Sequence, residues 1–95
     1  MQTRLEFEVG LSEALHAIGQ LLRSDPGDPA YVGIANQLEA IQQWTTDGKD
    51  LTQKQKDRVN MGLVAQRELK GDVPDLAALL ISLHDYILLK MPTAP

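Results

Sequence analysis

Apolar residues recur along this chain at steps of three and four, the period of a helix that buries one face. Leu11, Ala14, Leu15, Ile18, Leu21 and Leu22 form the first such stripe. Upstream, Leu5-Glu6-Phe7-Glu8-Val9 alternates as a strand would. The chain offers no second strand to pair with it, and a lone strand leaves its backbone unsatisfied. Thr3 followed by Glu6 fits a capping box, so the first helix is predicted to start early and to span about 2–23.

Three turn clusters divide the rest: Ser24-Asp25-Pro26-Gly27-Asp28-Pro29, Thr46-Asp47-Gly48-Lys49-Asp50 and Gly71-Asp72-Val73-Pro74. Asp28 is placed to cap a second helix over 29–46, with Pro29 at the first position, where a missing N–H costs nothing. Its seam is Tyr31, Ile34, Leu38, Ile41 and Thr45, with Ala35 and Trp44 beside it, and Gly48 supplies a left-handed stop. A third helix is predicted over 51–70, capped by Asp50 or Thr52. It is polar at first (Gln53 to Asp57) and apolar nearly all round from Val59 to Ala65, so it should start at the surface and enter the core. Within it Gly62 costs about 1 kcal/mol against Ala, which implies a close helix approach. Asn60, among apolar neighbours, is expected to be buried and bonded to a neighbouring helix or loop. The fourth helix, 73–91, carries the strongest stripe, Leu76, Leu79, Leu80, Leu83 and Ile87, and Met91 to Pro95 reads as a tail. Connections this short predict one all-α domain over 1–95, a compact antiparallel four-helix bundle or an orthogonal variant.

Composition narrows the possibilities. With 43 % hydrophobic residues the chain is not a disordered one, and with four aromatics (Phe7, Tyr31, Trp44, Tyr86) its core must be aliphatic. The absence of cysteine excludes disulfides, thiolate metal sites and thiol nucleophiles, and makes a cytoplasmic home the simpler expectation. A net charge of −4 repels phosphate backbones, so nucleic acid is not an expected partner. The start of the chain lacks the pattern of a signal peptide, and His84 and Asp85 interrupt the best apolar run, so no membrane span is expected.

The chemistry-bearing residues are sparse. His16 has Glu13 one turn away, and His84 has Leu80, Ile81 and Leu88, so neither has a metal-binding partner set, and both are expected to be half-exposed. Ser12 lies one turn from His16 on a helix surface, without the oxyanion hole that acyl transfer needs. The pairs Glu6/Glu8 and Asp72/Asp75 sit where helix N-termini favour negative charge. No enzyme, cofactor or metal is therefore expected. One alternative is a phosphohistidine carrier using His16, for which Gly19 is well placed. The lysine such a site wants is missing, and Glu13 would repel the phosphate. A homo-oligomeric interaction module is the other alternative. The remaining reading is a binding protein, with acidic turns that attract a basic partner and with Tyr31 and Trp44, residue types common at interface hot spots, flanking the second helix.

From Leu11 to Leu69 the chain resembles the small helical immunity proteins that neutralise NAD(P)+ glycohydrolase effectors delivered by bacterial type VI secretion. The resemblance lies in Leu21-Leu22-Arg23-Ser24-Asp25-Pro26-Gly27-Asp28-Pro29, in Asn36-Gln37-Leu38-Glu39-Ala40-Ile41, and in Arg58-Val59-Asn60-Met61-Gly62-Leu63-Val64-Ala65-Gln66-Arg67-Glu68-Leu69. Leu5 to Val9 and the proline-rich tail fall outside it. The resemblance implies a cognate toxin as partner and stoichiometric occlusion of its substrate cleft, with acid on this side complementing a cleft made for dinucleotide phosphates. Charge and aromatic character near the second helix single out Asp25, Asp28, Tyr31, Glu39 and Trp44 as expected contacts. Charge reversal at Asp28 and Glu39 together is expected to weaken binding with little effect on the melting temperature.

Overall fold

The computed structural model describes residues 1–95 and is all-α, with no strand. Helix α1 spans Arg4–Ser24, two residues later than the expected start at 2, with Thr3 as its N-cap. The Thr3 hydroxyl accepts from the Glu6 N–H at 3.1 Å, and the Glu6 carboxylate accepts from the Gln2 N–H at 3.3 Å. The alternating stretch is thus helical, and it buries Phe7 completely while leaving Leu5 and Val9 in solvent. Helix α2 spans Pro29–Trp44, with Asp28 accepting from the N–H groups of Ala30 and Tyr31. Within a short turn over Thr46–Gly48, Asp47 and Gly48 adopt φ of 62° and 76°, so the left-handed stop foreseen at Gly48 takes in its neighbour as well.

The third segment departs from the continuous helix expected over 51–70. Helix α3 covers only Gln53–Asp57, opened by a full capping box between Thr52 and Gln55. The chain then leaves helical geometry and resumes as α4, Met61–Val64, which runs into a π turn over Ala65–Leu69. The reason lies in what must be buried. Val59, Met61, Ala65 and Leu69 all enter the core, a set that no uninterrupted helix brings to one face, because residues two apart point about 200° from each other. The break rotates Met61 inward. Asn60 marks it, and contrary to expectation Asn60 is exposed. Its partner is the expected kind: its N–H donates to the Gln37 side-chain oxygen at 2.9 Å, and its own side-chain oxygen accepts from the Gln37 amide nitrogen. One glutamine on α2 thereby satisfies the Asn60 N–H, which has no helical partner at the break.

Helix α5, Pro74–Leu89, packs against α1 on one side and against α4 and the π turn on the other, while α2 touches both α1 and α4. The packed pairs close a ring around one aliphatic core. Its aromatic exceptions are Phe7 of α1 and Tyr86 of α5, stacked with ring centroids 4.9 Å apart. The last residues are not a loose tail. Met91 is buried, the Ala94 N–H donates to the Leu51 carbonyl at 2.9 Å, and the buried Lys56 amine donates to the Met91 carbonyl at 2.6 Å and to the Thr93 hydroxyl at 2.9 Å. An ammonium group held by a carbonyl and a hydroxyl is a costly arrangement unless both acceptors stay in place, so α3 and the C-terminal residues hold each other.

Where α4 meets α5 the backbones come close, as expected from Gly62. Its N–H donates to His84 Nδ1 at 2.9 Å, and a β-carbon there would meet the His84 Cβ and Cγ at 2.9 Å. His84 is therefore buried, not the half-exposed histidine foreseen, and its neutral ring carries the proton on Nε2. Burial lowers its pKa, and the negative charge of Asp85 opposes the shift in part. Asp85 is the one charged residue among those lining the shallow groove around the ring, which α4 and the π turn complete with Leu63 and Gln66. The sign follows from proton counting. The unfolded chain protonates this histidine near pH 6.5, and the folded chain only at lower pH. Stability from this group is thus complete above about pH 6.5 and declines as the pH falls below it, levelling off once the folded histidine is also charged. Urea midpoints at pH 7.5 and 5.5 should differ by more for the wild type than for His84→Asn. Equal differences would show that the histidine does not couple protonation to folding.

Candidate partner-binding surface

The five residues singled out from sequence occupy three different settings. Asp25 is exposed just past α1, where its N–H closes the helix on the Leu21 carbonyl. Asp28 is half-buried, and its carboxylate is already engaged in capping α2. Removing such a cap costs about 1 kcal/mol, so charge reversal at Asp28 tests stability as much as binding, contrary to expectation. Tyr31 is half-buried against the core, and Glu39 stands free in solvent. Asp28, Tyr31 and Glu39 fall within about 80° on one flank of α2.

Trp44 lies elsewhere. It is five residues from Glu39, about 140° round the helix, on the flank that faces α3 and the break. There the Arg58 guanidinium sits 5.7 Å from the centre of its ring. Trp44, Arg58, Gln37 and Ala40 line a hollow of about 180 Å³. Asp28, Tyr31 and Glu39 thus share a flank of α2, but Glu39 stands about 16 Å along the helix axis from Asp28, and Trp44 lies on another flank. The acidic turn that follows α2 is also partly committed. Asp50 pairs with Arg4 at 2.8 Å, and the same guanidinium donates to the Lys49 carbonyl at 2.6 Å. His16 is exposed mid-way along α1, with a carboxylate and not a cation one turn before it, so the phosphocarrier reading gains no support.

Periodicity passed over a different feature. Leu5, Val9, Leu63, Leu88 and Leu89 are large apolar residues left exposed, and Leu5 and Val9 lie one turn apart on α1. Isolated exposed leucines carry little meaning, but a row of them beside a groove does. The available signal was their position off the buried stripe of their helices.

These elements define a small all-α protein built around one hydrophobic core. A model of the family named Tsi6 matches residues 10–88, and the chain belongs to that family of type VI secretion immunity proteins. The match leaves out Leu5 to Val9 and Met91 to Pro95, the parts that also stood outside the resemblance read from sequence. Immunity proteins are in general not enzymes, and membership implies a toxin as binding partner. No curated protein and no solved structure matches the chain. No helix is long and apolar enough to cross a membrane.

Proposed function

We propose that this protein neutralises a type VI NAD(P)+ glycohydrolase toxin in the cytoplasm by docking over its substrate cleft and keeping the dinucleotide out. The observation that carries the reading is the family match over residues 10–88, joined to the resemblance of its three sequence blocks to immunity proteins of that toxin class. Two physical features support it. A net charge of −4 complements a cleft that must attract dinucleotide phosphates, which speeds association. The closed ring of packed helices presents its surface already ordered, so little entropy is lost on docking.

The test uses the toxin domain that this reading expects to be encoded beside the protein's gene. Co-expression should restore growth of cells that produce the toxin, and the purified protein should abolish NAD+ consumption at a one-to-one ratio with the toxin. Rescue without any inhibition of NAD+ consumption would remove the glycohydrolase reading while leaving immunity intact.

A further inference from the structure

Two depressions share Glu13 and Leu79 on their walls and run end to end between α1 and α5, one of about 650 Å³ and the other of about 390 Å³. The apolar surface of the joined groove comes from Leu5, Val9 and Leu21 of α1 and from Val73, Leu76 and Leu79 at the start of α5. From Leu5 to Leu21 the groove extends about 24 Å at 1.5 Å per helical residue, room for roughly four turns of a partner helix. Its lining includes Glu6, Glu13, Asp72 and Asp75 and no Lys, Arg or His, while Met1, which carries the α-amino group, lines the end near Leu5. Glu6 is engaged in the α1 cap, but the carboxylates of Glu13, Asp72 and Asp75 make no hydrogen bond or ion pair within the chain.

From this we infer that the α1/α5 groove is a docking surface for a basic amphipathic helix of the toxin, its apolar face on the leucines and its Lys or Arg side chains on the free carboxylates. The inference rests on the immunity reading and names the surface that serves it. Helix-in-groove binding needs an apolar trough long enough for several turns, and this groove supplies one. The charge decides the occupant. A second copy of this chain laid into the groove would set acidic rim against acidic rim, which costs affinity, and an anionic lipid or nucleic acid is repelled in the same way. A cationic helix gains on both counts. The surface also lies on the flank of α1 away from α2, so it is distinct from the Asp28, Tyr31 and Glu39 flank.

The experiment measures binding of the purified toxin domain encoded by the adjacent gene to four proteins: wild type, the double variant Glu13→Lys/Asp72→Lys, Val9→Gln, and Glu39→Lys. Neither Glu13 nor Asp72 is a helix N-cap, both are exposed, and a thermal melt of each variant checks that it is folded. The double variant should lose roughly tenfold or more in affinity, mostly through slower association, and its binding should become less sensitive to salt. Val9→Gln should raise the dissociation rate, while Glu39→Lys should bind within about twofold of wild type. Wild-type binding with undiminished binding by the double variant and by Val9→Gln would overturn the groove while leaving the immunity reading in place. Failure of the wild type itself to bind would instead defeat that reading. A wild-type dimer in sedimentation that the double variant dissolves would replace the toxin helix with a second copy.

Discussion

Gly62→Ala is expected to destabilise this protein by about 2 kcal/mol or more, although alanine is the better helix former by about 1 kcal/mol. The added methyl has no room: it would press on the ring nitrogen, Cβ and Cγ of His84, and the last two lie at 2.9 Å. A flexible side-chain tip could swing away, but Cβ is fixed to the α5 backbone, so relief requires α4 and α5 to separate. Separation then breaks the bond from the Gly62 N–H to His84 Nδ1 and leaves buried polar groups unpaired, which adds about 1–3 kcal/mol. For a domain of this size the melting temperature should fall by roughly 10 °C. Gly19→Ala is the matched control, because a β-carbon at that position in α1 meets nothing within 4 Å. It should stabilise by about 0.5–1 kcal/mol. Urea denaturation of the two variants side by side should give opposite signs, and a Gly62→Ala protein as stable as wild type would show that the contact is not rigid.

Phe7→Ala should have the largest effect of any single truncation, about 3–5 kcal/mol. Phe7 is fully buried, it stacks on Tyr86 across the α1/α5 interface, and the Arg4 guanidinium lies 5.8 Å from the centre of its ring. Apart from Tyr86, which already covers one face of the ring, the buried core is aliphatic, so filling the void requires whole side chains to move. A chain of 95 residues has roughly 5–14 kcal/mol of stability in total, so this one change removes a large share of it. Phe7→Leu keeps most of the volume and loses the stacking, and should cost about 1–2 kcal/mol. Equilibrium unfolding measures both. Equal costs for Ala and Leu would mean that the stacked geometry and not the filled volume is what matters at this site.

Where the determinants are local, the sequence was readable. The Thr3 and Asp28 caps, the Pro29 start and the left-handed Gly48 each depend on residues within four positions and were found where expected, and of the two caps offered for the third helix, Asp50 and Thr52, it is Thr52 that caps. Gly62 was also readable, because a glycine inside an apolar helical run has a cost that only a tight contact offsets. The candidate contacts were less so. Charge and aromaticity could nominate Asp28, Glu39 and Trp44, but they could not show that Asp28 is occupied as a cap or that Trp44 faces away from Glu39. A helix face is a matter of angle, and the angle that matters is set by what packs on the other side.

The sequence by itself determined an all-α chain, the caps of α1 and α2, the ends of α1, α2 and α5 to within about two residues, an aliphatic core and a net negative charge, because each follows from period, neighbours or composition. Only the tertiary structure decided the break at Arg58 to Asn60, the burial of His84, the docking of Met91 to Pro95 and the acid-lined groove between α1 and α5. Those features join residues far apart in the chain: Gln37 and Asn60 are 23 positions apart, Gly62 and His84 are 22, and Lys56 and Met91 are 35. Pairings at such separations leave no local periodic trace, since either partner alone is compatible with many folds and only the packed helices select the one that forms.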